Sequence, residues 1–214
     1  MNPISSSAVF ASALIKGFIL KNILNTIASR YTKQGLWSLF LMCVFPQHLW
    51  TLILVFRDMS WLIERTNVWD AIGDAGYAMV FAFFESLIVF CVFVLVGFIT
   101  PGRWEVNRRI AFLTLLLFIA SIWGMVAQLL YLWNIWLPWP LMQFIASTGR
   151  PLVMLYILSL AIVVPTVFLP VYAFVKSKKA LHNMLEIMDR LSTLSMLYLF
   201  FDLVGLVIVI IRNV

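Results

Sequence analysis

Charged side chains are scarce: Asp, Glu, Lys and Arg together make up 11% of the chain, against about 25% in a soluble domain. Hydrophobic residues reach 64%, and the mean hydropathy is +1.03. No aqueous globular fold of 214 residues hides that much apolar surface, so lipid is the solvent for most of the chain. Histidine and cysteine are rare, at two each. Cys43 and Cys91 lie within apolar runs, form no CxxC, and read as small hydrophobes rather than as a disulfide or metal pair. A bis-His haem is excluded, because His182 falls outside the apolar runs and leaves His48 alone at depth. No cofactor or metal is expected. HExxH, GxSxG and Walker motifs are absent, and only one Asp lies deep within an apolar run. No enzymatic activity is therefore expected. The basic charge is diffuse and topology explains it, so no nucleic-acid partner is expected either. Sequons, internal repeats and low-complexity segments are missing, and the N-terminus lacks the basic start and cleavage site of a signal peptide.

What the chain does have is long apolar runs. A spanning helix needs roughly 20 such residues, and runs over 36–56, 77–99, 110–133, 151–175 and 191–211 meet that length. The expected fold is all-α: a polytopic membrane helical bundle of about five transmembrane helices, with N-terminal and cytoplasmic amphipathic helices. Residues 1–35 form the first, interfacial part and 36–214 the bundle. Five spans leave no room for a separate soluble domain of about 100 residues. Within 8–34, Leu20, Ile23, Leu24, Ile27, Ala28 and Tyr31 share one helical face, opposite Asn22, Asn25, Thr26, Ser29 and Lys33. Lys16, Lys21, Arg30 and Lys33 make that helix cationic, suited to an anionic headgroup layer or to packing on the bundle. Pro46 interrupts the first run and raises the alternative of a re-entrant segment.

Lys and Arg number 4, 2, 3, 1, 4 and 1 in the successive segments outside the runs. That alternation places the N-terminus and the basic segments in the cytoplasm and the C-terminus outside, as for a protein of a cell (inner) membrane. Trp61, Trp69, Trp133, Trp136 and Trp139 fall in or beside the two outer connectors, where indoles form an interfacial belt. On the cytoplasmic side, Leu181, Met184, Leu185, Met188 and Leu191 share a helical face, preceded by Lys176, Lys178 and Lys179. Those lysines with Met184 and Met188 form the candidate surface for the membrane or a protein partner.

Ionisable groups inside a span are costly and mark function. Here they are His48, Glu85 and Asp202, all near one depth when counted along their runs at about 1.5 Å per residue. Gln47 and Gln128 lie close to that level. Ala78, Ala82, Glu85 and Val89 form a stripe, as do Ser121, Gly124 and Gln128, and Ser195, Asp202 and Gly205. Small and polar residues of this kind let helices approach and hydrogen-bond. A midplane His–Glu–Asp cluster that binds a proton or cation stands beside a plain structural hydrogen-bond network.

Two function classes follow. The first is a sensor, anchor or scaffold in a multi-protein assembly, coupling the bilayer to a soluble cytoplasmic partner; its size and shape are those of membrane components of bacterial stress or phage-defence systems. The second is a proton- or cation-coupled transporter or channel subunit, which with five helices also implies a homo-oligomer. The orientation is open to direct test. Alkaline phosphatase fused after Val214 is expected to be active and green fluorescent protein there dark; the reverse result would invert the topology.

Overall fold

Backbone N–H and C=O groups in hydrocarbon have no water to bond, so an apolar run satisfies them internally as a helix. The computed structural model describes residues 29–132 and 136–214. In chain order its helices are α1 (Lys33–Arg65), α2 (Val68–Val96), α3 (Val106–Leu132), α4 (Trp139–Ser147), α5 (Pro151–Lys176) and α6 (Lys178–Asn213). All but α4 are long and apolar enough to cross a membrane, and the described residues contain no strand. The protein is a multi-pass membrane helical bundle.

Local chemistry sets the boundaries. Thr32 is extended and its side chain accepts the Gly35 N–H at 3.0 Å, a helix N-cap. Lys33 therefore opens α1 instead of closing the amphipathic helix expected over 8–34, most of which lies outside the described residues. Asn67 caps α2 by accepting from the Asp70 N–H at 2.9 Å, with Asp70 in the first turn, where the helix dipole favours an acid. Pro46 sits inside an unbroken α1, so the first span is not re-entrant. Ser177 caps α6 through the Ala180 N–H. Neither Gly nor Pro occurs from 178 to 204, so the expected surface helix and fifth span merge into one helix of 36 residues. That is about 54 Å long, against a hydrocarbon core of about 30 Å.

The core gathers around α1, which packs against α2, α3 and α6. Leu39, Met42, Cys43 and Val44 are fully buried there. Met184 and Met188 belong to the same apolar core as Leu41, Ile110, Leu113 and Phe174. The methionine stripe expected to meet the membrane surface or a partner thus faces inward: a long α6 lays it over neighbouring helices of the bundle itself. α2 and α6 meet backbone to backbone at Gly76 and Gly205, where a Cβ on Gly205 would stand 2.9 Å from the Gly76 carbonyl oxygen. At one end of that pair Arg212 bonds the Asp70 carboxylate and carbonyl at 2.8 and 2.9 Å. Gly73 leaves room for the guanidinium, since a Cβ there would overlap it.

The opposite end of α2 is held by Arg109, which is 2% exposed and has no carboxylate partner among the described residues. Its guanidinium donates to Thr100 Oγ1 at 3.0 Å and to the carbonyls of Arg30, Pro101 and Trp104. Tyr31 packs beside it and donates to the Val94 carbonyl at 2.9 Å. Burial holds the Tyr31 phenol above its ordinary range, against the lowering pull of Arg109 and Arg30, so it stays a donor. By contrast α5 rests mainly on α3, and its most apolar stretch is 0% buried within the chain.

Gly205→Ala is expected to force α2 and α6 apart and cost about 1–3 kcal/mol, the range for overpacking. Gly124→Ala, with nothing within 4 Å of the added carbon, is expected to leave thermal unfolding in detergent unchanged. Equal melting of the two variants would refute a tight glycine crossing.

Candidate functional site

His48 lies on α1 one turn after Val44, and Asp202 lies on α6 one turn after Tyr198. The structure brings the two ionisable groups together: His48 Nε2 is 2.8 Å from Asp202 Oδ1. His48 is 0% exposed and Asp202 7%. The other ring nitrogen, Nδ1, is 2.8 Å from the Val44 carbonyl oxygen. A carbonyl only accepts, so Nδ1 carries a hydrogen. Two arrangements then satisfy the second contact. Either Nε2–H donates to a carboxylate, or a carboxylic O–H donates to a bare Nε2. Both place one proton between Nε2 and Oδ1, and both leave the pair neutral overall. Without that proton two lone pairs would face each other. The contact is thus a one-proton site between two buried side chains.

Its walls are aromatic. The Tyr198 ring stacks on His48 with centroids 5.5 Å apart and planes within 9°, and Phe45 lies against Tyr198 at 6.3 Å. Asp202 Oδ2 is buried with no hydrogen-bond partner. Asp202 also borders a groove of about 520 Å³ between α1, α2 and α6, lined otherwise by apolar side chains including Trp37, Phe40, Phe83 and Phe84.

The remaining members of the expected midplane cluster go elsewhere. Glu85 is exposed on α2 among exposed Phe81, Phe84, Ile88 and Val92, and it makes no ion pair with His48 or Asp202. Helix rotation explains the difference: Ala82 and Ser86, at 1% and 0% exposure, take the packing face of α2, and Glu85 is turned off it. Gln47 and Gln128 line a separate crevice of about 260 Å³ between α1, α2 and α3, with Pro46, Ser121 and Gly124. Ser86 and Ser195 are buried but bond back to Ala82 and Leu191 in their own helices. Lys176, Lys178 and Lys179 are exposed around the start of α6. No group of three or more His, Cys, Asp or Glu suited to a metal ion occurs among the described residues.

Sequence reasoning missed two residues here. Tyr198 had a signal, its four-residue spacing from Asp202. Arg109 had none that separates it from Arg108 beside it. Compared with family models, with curated proteins and with solved structures, the chain matches none.

Asp202→Leu is expected to strand the His48 ring nitrogen and lower stability by about 1–3 kcal/mol. Asp202→Asn keeps an N–H donor for Nε2 and is expected to lose less. Unfolding in detergent measures both, and a Leu variant as stable as the parent would remove the pair from any structural role.

Proposed function

We propose that the protein is a non-enzymatic subunit of a membrane assembly, a sensor or anchor that couples the bilayer to a soluble cytoplasmic partner. Glu85 carries this reading. It sits well inside α2 with exposed Phe81, Phe84, Ile88 and Val92 around it. An ionisable side chain at the centre of a spanning helix costs about 2.5–3.5 kcal/mol on insertion scales. A donor from another chain removes that cost, so the Glu85 face is where a second subunit packs, a second copy of this chain being the simplest. The exposed α5 supports the same reading, because packing within the chain leaves most of its surface to lipid or to neighbours.

Coupling across the bilayer rests on α6. One helix carries the exposed polar residues His182, Glu186, Asp189 and Arg190 near its start, Asp202 further along and Arg212 at its end. A load at the cytoplasmic end and a change at the His48–Asp202 pair therefore act on one rigid element. The basic segments support a cytoplasmic side for that end, in a bacterial inner membrane, the side on which a soluble effector of a stress or phage-defence system would be met. A proton- or cation-coupled transporter or channel subunit is the second reading, favoured by the single proton shared between His48 and Asp202. The separation of Glu85, Gln47 and Gln128 from that pair weighs against it.

The parent protein in nanodiscs or mild detergent is expected to sediment as an oligomer. Glu85→Leu, which suits lipid, is expected to weaken association roughly 5–30-fold, the equivalent of an interhelical hydrogen bond of about 1–2 kcal/mol; Glu85→Gln is expected to retain most of it. A monomeric parent, or an unchanged Leu variant, defeats the assembly reading. Proton flux in liposomes that Asp202→Asn abolishes would select the transporter instead.

A further inference from the structure

At the basic end of the bundle, three parts of the chain converge on one crevice of about 530 Å³. The α2–α3 connector contributes Arg103, α3 contributes Arg108, and the junction of α5 and α6 contributes Lys176 and Lys178. Glu105 is the one acid in the lining. None of these four cations is in an ion pair, and no carboxylate lies within salt-bridge distance of them in the described residues. Arg108 is already oriented: it lies over the Trp104 ring at 4.9 Å and donates one N–H to the Val175 carbonyl at 2.8 Å. A guanidinium has five N–H donors, so this anchoring leaves others to point into the crevice. Phe174 and Leu181 supply an apolar wall.

Such a site differs from the buried Arg109 close by, whose guanidinium is occupied by carbonyls and Thr100. Lys176 donates to the Tyr172 hydroxyl and lies over its ring, which leaves Arg103, Arg108 and Lys178 as the cations offered to a half-apolar crevice at the end of membrane helices, and they match one chemistry. A phosphate fits the donors, and a chain of hydrocarbon attached to it fits the wall. We propose that this crevice binds the phosphate of an anionic phospholipid headgroup. The inference stands apart from the assembly reading, because it uses none of the Glu85 face. Its location between α3 and the α5–α6 junction also gives the weakly packed α5 a lipid-mediated tie to the bundle.

The full chain in nanodiscs containing phosphatidylglycerol and phosphatidylcholine tests this, with retained lipid read by native mass spectrometry. Parent protein is expected to retain phosphatidylglycerol over phosphatidylcholine. Arg108→Gln combined with Lys178→Gln is expected to lower that preference roughly thirtyfold, from the loss of two headgroup charges. Arg190→Gln, which removes a cation paired with Glu186 and absent from the crevice, is expected to keep it. Equal retention of both lipids by the parent, or unchanged preference in the double variant, overturns the proposal. Displacement of phosphatidylglycerol by millimolar inorganic phosphate would assign the site to free phosphate and overturn the lipid source. A double variant that fails to fold is replaced by Arg103→Gln alone, read in the same way.

Discussion

The His48–Asp202 contact ties α1 to α6, and the bundle is arranged around those two helices. Among the described helices α1 is the most buried of the spans, and α6 is the longest. A polar pair at this depth has no water to fall back on, so each partner depends on the other to remain satisfied. The stacking of Tyr198 on the imidazole and the backbone crossing at Gly76 and Gly205 lie on the same side of α6 as Asp202. Together they set both the rotation of α6 and its distance from α1 and α2. The rotation then decides which other residues are inward, including Ser195 one turn before Tyr198, and Met188 two turns before Ser195.

The class of fold was legible because it depends on composition. Five apolar runs in a chain with 11% charge have one solution, and the helices found overlap each of the runs. Pairing within the bundle was only partly legible. Counting residues along a run gives depth but not azimuth. His48 and Asp202 agree in depth and also face each other; Glu85 agrees in depth and does not. The information that separates them is the rotation of α2, which Ala82 and Ser86 fix by occupying its packing face. An i, i+3, i+4 pattern is wide enough to include Glu85 beside them, so the stripe alone did not decide. For the methionines the error was one of kind. An amphipathic face was expected to meet a partner, and a helix long enough to fold back over its own bundle met that need internally.

α5 shows the opposite case, a helix with little internal partnership. It carries Pro165 and Pro170, and both lack an N–H for the helix ladder. Its ties to the rest are few, and three of them are to α3: the Trp123 indole donates to Thr166 Oγ1 at 3.1 Å, Phe112 meets Phe174, and Arg108 reaches the Val175 carbonyl. A span held this lightly gains its position from what surrounds it as much as from the chain. Lipid is an adequate neighbour for its apolar surface, so burial within the chain is no measure of whether it belongs in the membrane.

The placement of charge follows the same logic at the basic end. One cation there, Arg109, is buried and bonded to backbone carbonyls and a hydroxyl, and its work is to close the connector between α2 and α3. Arg103, Arg108, Lys176 and Lys178 line a crevice whose one acid is Glu105, and among the described residues none of the four is in an ion pair. Buried charge without internal partners is expensive, whereas charge at a headgroup layer is favoured by anionic lipid at about 1 kcal/mol per residue. The burial of Arg109 therefore serves a loop that sets the bundle's geometry. The remaining cations stay where lipid phosphate can answer them, and this division keeps a protein with so few charges both oriented and folded.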